Sequence, residues 1–265
     1  MGGIGKTTAA RSIARRYDLR LYSVDSYTCA HAERLPKDAR SLDEIWVNST
    51  PEGLAAWFDD AARARFPLIL EDLRRLPTDV PILAEGPQLL PPLVRPLLAS
   101  PDRAVFVVGS HGLHRQLLEQ RGSGLMKVVR DPDRAFENRL RRDRILAERL
   151  EHDARWAGFP VRKVSRVGDT EAAIESQFGP ALRAWDAPGD RGDVAERRRE
   201  DNDARLRQWR ANADHFDDES GEVAFAYECA RYGCVETVTL GLLDAEHRRA
   251  TSRPLAGLQT DHFVA

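Results

Sequence analysis

The chain opens on Gly2-Gly3-Ile4-Gly5-Lys6-Thr7-Thr8, and a helical pattern over 9–16 follows at once, with Ala9, Ile13 and Ala14 set against Arg11, Arg15 and Arg16. Glycines that turn successive backbone N–H groups inward, a lysine, a hydroxyl and an immediate helix start form the second half of a phosphate-gripping loop, G-x-x-x-x-G-K-[ST]. The N–H groups and the positive end of the helix dipole cradle phosphate oxygens. Lys6 is placed to reach the outer phosphates and the Thr7 hydroxyl to help hold Mg²⁺. The pattern's first glycine would fall one residue ahead of Met1, and the apolar strand that should lead into the loop is not in the sequence. A loop without that strand is unanchored, so the reading frame is expected to extend upstream.

The rest of the first 186 residues reads as alternating strands and helices, the pattern of a parallel α/β sheet. Residues 19–25 alternate as a short strand ending in Asp25. Residues 31–75 are helical and irregular, with Ser41 and Thr50 at cap-like spacing from acidic residues and with Trp46, Trp57 and Phe58. The run 81–86 looks like a buried strand delivering Glu85 to the sheet's C-terminal edge, where ligands of open α/β sheets collect. Residues 103–110 form the clearest buried strand. A long charged helix is expected over 131–156, a last strand over 160–167 and a short helix from Gly168 toward Trp185.

A turn-rich break at 187–192 marks a boundary. Beyond it, 193–216 reads as a polar, solvated connector helix. The final segment carries strands at 223–227 and 235–240, a Cys229-x4-Cys234 pair and a short helix at 242–249. Three units follow: an α/β domain over 1–186 whose first strand is missing, a linker and connector over 187–218, and a small α+β module over 219–265.

Together these features resemble the P-loop kinases of small molecules, the group of shikimate, gluconate and nucleoside monophosphate kinases. The resemblance covers 1–185 and is strongest over 5–25. It implies ATP bound by Gly2, Gly3, Ile4, Gly5, Lys6, Thr7 and Thr8, with Mg²⁺. Shikimate-kinase-like sequences end their second strand in a pair of aspartates. Asp25 falls on the second and Ser23 replaces the first, which leaves metal ordering to Thr7, Glu85 or water. Asp25 is then the group that orients or deprotonates the acceptor hydroxyl. Such kinases also bring arginines on a mobile lid to stabilise charge on the transferring phosphoryl group. The arginines between Arg130 and Arg144 lie where that lid belongs; Arg134 and Arg141, which share a helix face with Asn138, and Arg142 are the first candidates. The region 31–75 is expected to form much of the acceptor pocket.

The Cys229-x4-Cys234 pair is similar to a compact C-terminal module with a Cys-x-Cys-x4-Cys core and a later histidine. Tyr227 stands where its first cysteine belongs, so packed, reduced thiols are preferred to a zinc site completed by His262 and His247. A protein partner for this module is possible. Cys29 and the His111-x-x-His114 pair are read as structural.

The formal net charge of −2 argues against dedicated nucleic-acid binding. The most apolar stretch, 81–98, is broken by Glu85, Arg95 and prolines, short of the roughly 20 apolar residues a membrane helix needs. With three cysteines and no signal-peptide core, a cytoplasmic location is expected. The reading is an ATP-dependent phosphotransferase acting on a small metabolite or nucleotide. Its alternatives are a nucleotide-binding regulator without turnover and an antibiotic-modifying or toxin-type kinase.

Overall fold

A computed structural model describes residues 4–121, 128–185, 193–251 and 253–255. Gly2 and Gly3 of the loop, the proposed boundary at 187–192 and His262 lie outside these. The first helix, α1 (Lys6–Arg16), leads into β1 (Arg20–Ser23). The expected strand over 19–25 is shorter at its end, because Val24–Tyr27 coils into a 3-10 turn. Asp25 therefore rides on that turn rather than on a strand tip. Three helices follow, α2 (Thr28–Ala32), α3 (Leu42–Trp46) and α4 (Pro51–Arg75).

The caps start these helices where the sequence places them. Ser41 and Glu44 form a reciprocal capping box on α3, and Thr50 accepts from the Gly53 N–H with Pro51 at the first helical position of α4. Next come β2 (Ile82–Glu85), the short α5 (Pro91–Val94), β3 (Phe106–Gly109) and α6 (His111–Arg121). The long α7 (Pro132–Trp156), capped by Asp131, leads to β4 (Val161–Val164) and α8 (Gly168–Trp185).

The architecture is mixed α/β with parallel strand pairing, but the expected single sheet is instead two pairs. β1 pairs with β2, with Ser23 opposite Glu85, and β3 pairs with β4, with Gly109 opposite Val164. Helices cover both faces. On one, α1 and α8 bury Ile13 and Ile174 with Leu21 and Leu83 from the first pair and Val107 and Val164 from the second. On the other, α4 packs Phe66 and Ile69 onto Tyr22, Ile82 and Ala84, while α7 packs Ala154 with Phe106, Phe159 and Val161. Val94 of α5 belongs to both of these clusters, so the two strand pairs share their covering on either side.

The helix expected to be a solvated connector is not one. This α9 (Val194–Phe216) packs on α2, β1 and the turn after β1, and buries Arg197, Arg198, Asn202, Ala204 and Leu206. Its polar side chains are held by partners far away in sequence, so burial does not require an apolar face. Its other end supports an antiparallel pair, β5 (Val223–Ala226) with β6 (Thr237–Leu240), and α10 (Leu242–Ala250), around Phe225, Leu242 and Leu255. No helix among the described residues is long and apolar enough to cross a membrane.

Candidate functional site

Gly5 caps α1 in the left-handed region, with φ 81°, and its carbonyl accepts from the Ala9 N–H at 2.8 Å. A Cβ there would lie 2.8 Å from Val167 Cγ1. Both backbone and space therefore favour glycine, and Gly5→Ala is expected to cost about 1–3 kcal/mol in a denaturant melt. No acidic residue of α1 itself occupies its first turn. Ile4 is buried; its carbonyl accepts from Thr170 Oγ1 at 2.7 Å and its side chain sits against Gly109 at the end of β3.

The loop meets β2 through its hydroxyl. Thr7 Oγ1 donates to Glu85 Oε2 at 3.2 Å, and Ser23 Oγ donates to the other oxygen of Glu85. The small, buried Ser23 thus leaves space that the Glu85 carboxylate fills from the neighbouring strand. Burial pushes the Glu85 carboxyl above its ordinary value, and the negative charge of Asp25 adds to the rise, while the two hydroxyls and Arg11 oppose it. Asp25 is also raised, chiefly by the protein crowded around it, against the pull of Arg65, Lys6 and Arg11. Its surface is nonetheless open to solvent.

Two arginines missed by the sequence reading belong here. Arg11 of α1 holds Asp201 of α9 through Nε and Nη2, at 3.2 and 3.3 Å, and reaches Ser26 Oγ at 3.3 Å. Arg65 of α4 donates from Nε to His31 Nδ1 at 2.8 Å and from Nη2 to the Val24 carbonyl at 2.5 Å. His31 must then carry its proton on Nε2, which donates to Asp72 at 2.7 Å, and Tyr22 donates to the same Asp72 oxygen at 2.8 Å. Burial lowers the His31 pKa, and Arg65 adds to the fall against Asp72, so the ring is neutral. A rigid chain from Asp72 through His31 thereby fixes Arg65 beside the turn that carries Asp25. The signal was in the sequence: Arg65 stands on the α4 stripe of Ala62, Phe66 and Ile69, where an apolar residue would be expected.

No protein-family profile, curated protein or solved structure matches this chain. The site is therefore read from its own geometry. Thr7, Lys6, Asp25 and Glu85, drawn from the sequence as separate candidates, converge at the C-terminal ends of β1 and β2, and Thr8 is exposed beside them. The α7 arginines are placed differently. Arg142 is pinned by the Asp143 carboxylate and stacked 4.8 Å from the Trp46 ring centroid, so it supports packing. Arg134 and Arg141 are exposed, Arg134 in the capped first turn. None of the three is among the charges that chiefly act on Asp25 or Glu85, which include Arg11 and, for Asp25, Arg65. Their Asn138 neighbour donates to the carbonyls of Trp46, Val47 and Ser49 and locks α7 to α3.

Cys229 and Cys234 are buried and in no disulfide, and His247 is exposed on α10. Among the described residues no group of three or more metal-ligating side chains comes together. His114 bonds Asp143 at 2.8 Å and Cys29 bonds Gln208 and Asn212, in line with structural roles.

Proposed function

We propose that this chain transfers the γ-phosphoryl group of ATP to a hydroxyl or phosphate of a small metabolite or nucleotide. The observation that carries the reading is the Thr7–Glu85 hydrogen bond, which sets the glycine-lysine-threonine loop against two carboxylates at one strand edge. Lys6 and the N–H groups at the start of α1 bind the phosphates. Oxygen donors suit Mg²⁺, which takes one or two protein ligands beside substrate phosphates, and Thr7 with Glu85 is such a pair. When bound, the ion would neutralise charge building on the phosphate oxygens.

Asp25 accepts the proton of the acceptor hydroxyl as that oxygen bonds to the γ-phosphorus and the bond to the β-phosphate oxygen breaks, releasing ADP. Arg65, held by His31 and the Val24 carbonyl, favours the anionic form of Asp25 against the effect of burial. The test is a phosphotransfer screen against metabolite pools beside Lys6→Ala. Losing the lysine's charged hydrogen bonds is expected to weaken ATP binding about 10- to 100-fold. Unchanged ATP affinity in that variant would remove the loop from nucleotide binding and sink the reading.

A further inference from the structure

The C-terminal hairpin brings two thiols onto one rung. β5 and β6 pair with Val223 opposite Leu240 and Ala226 opposite Thr237, and the Tyr227 N–H bonds the Glu236 carbonyl one step beyond. Carried two residues further along each arm, the same register sets Cys229 opposite Cys234. Directly opposed residues have Cα atoms about 4.5–5.5 Å apart, inside the span of about 4.4–6.8 Å that a disulfide bridges. Between them the chain closes tightly: the Cys234 N–H turns back to the Arg231 carbonyl at 3.4 Å, and Gly233 takes a φ of 66°.

The side chains meet as well. The thiol of Cys234 is hydrogen-bonded to that of Cys229, and both are buried. Filling the core does not account for them, because the apolar cluster around Phe225, Leu240, Leu242 and Leu255 contains neither. Their setting is polar instead. Arg198 Nη1 donates to the Cys229 sulfur at 3.2 Å and to the Cys229 carbonyl at 2.7 Å. The attacking form of a cysteine is its thiolate, so the sulfur that faces a guanidinium is the one suited to attack. Burial raises the Cys234 thiol and Cys229 adds to the rise, while a hydrogen bond from the Glu236 main chain and the charge of Arg198 oppose it.

We propose that Cys229 and Cys234 are a reversible redox pair, closed to a disulfide by a hydroperoxide. Cys229, as thiolate, bonds one peroxide oxygen as the O–O bond breaks. The second oxygen takes the proton that Cys229 gave up and leaves as water or an alcohol, and a sulfenic acid remains on Cys229. The Cys234 sulfur then bonds the Cys229 sulfur as the S–O bond breaks, and the hydroxide departs as water with the Cys234 proton. Two electrons pass from the sulfurs to the peroxide oxygens. A dithiol reopens the bond by exchange. The closed loop carries Gly233, whose N–H bonds Asp18 Oδ2 at 2.9 Å and where a Cβ would lie 3.3 Å from the Arg16 carbonyl oxygen. Oxidation therefore cinches the segment that docks on the end of α1. The pair belongs to the hairpin and α9, and it stands or falls without regard to nucleotide.

The test exposes the native full chain to hydrogen peroxide, quenches in acid, unfolds, alkylates and maps the peptides. Two of the three cysteines are expected to be lost to alkylation, leaving Cys29, with a Cys229–Cys234 cross-link that dithiothreitol removes. Cys29→Ser should form the same cross-link. In Cys234→Ser the reaction should stop at the sulfenic acid, so a dimedone probe should label Cys229 at least about 10-fold more than in the parent. If that variant does not fold, peptide mapping of the parent decides alone. Three alkylated cysteines after a peroxide dose that oxidises the urea-unfolded chain overturn the proposal. So does a bridge through Cys29, a sulfinic or sulfonic acid without the cross-link, or a cross-link that forms only in urea.

Discussion

Replacing Arg198 by methionine is expected to destabilise the protein by about 3–5 kcal/mol, the cost of stranding a buried charge. The melting temperature should fall on the order of 10 °C. Arg198 Nη2 bonds Asp18 Oδ1 at 2.9 Å and the Arg231 carbonyl at 2.9 Å, while Nη1 bonds the Cys229 carbonyl at 2.7 Å. The side chain of Asp18 is fully enclosed, and its other oxygen accepts from the Gly233 N–H at 2.9 Å. Asp18 itself turns the chain from α1 into β1 with φ 50°. One guanidinium thus ties the turn between α1 and β1 to the cysteine-bearing segment of the C-terminal module. Methionine fills the volume but takes away the charged donor that the carboxylate and two carbonyls share. Arg198→Lys keeps the charge and loses the fork, so it should fall between the two. A loss below about 1 kcal/mol for Arg198→Met in a denaturant titration would show that the clamp does not hold the two parts together.

That clamp also marks where sequence reading stops. Helix α1, the caps at Ser41 and Thr50 and the four strands of the two parallel pairs were legible, because each is encoded within a few neighbouring residues. The arrival of Glu85 at the strand edge was legible for the same reason. α9 was not. Its sequence, Arg197-Arg198-Arg199-Glu200-Asp201-Asn202, is that of a solvated helix, and only Asp18, Arg11 and the Ala226 backbone, remote in the chain, show that one side of it is buried. The setting of the α7 arginines was not legible either. Helical spacing says which of them share a face, but not that Trp46 and Asp143 hold Arg142 while Arg11 and Arg65 influence the carboxylates.

Substituting Asp25 by asparagine should lower phosphotransfer by about 10²- to 10⁴-fold, the usual worth of a positioned general base, and leave ATP affinity unchanged. Because crowding raises the Asp25 pKa in the fold, its contribution to stability is present below its unfolded value and is lost as pH rises through the folded value. Once ionised, the carboxylate is thus a strain on the fold, and Asp25→Asn should melt no lower than the parent. A site kept for activity at a cost in stability behaves in this way. The same rise predicts that the acid limb of the rate profile lies above the ordinary aspartate range. Glu85 shares that environment, and each carboxylate makes ionisation of the other harder, so the limb belongs to the pair. Glu85→Gln removes one negative charge while retaining an oxygen for Thr7 or Ser23, and the limb of its residual activity should move to lower pH. Full phosphotransfer in Asp25→Asn would take the base role from this residue. An acid limb unmoved in Glu85→Gln would instead separate the two carboxylates electrostatically, whatever each contributes alone.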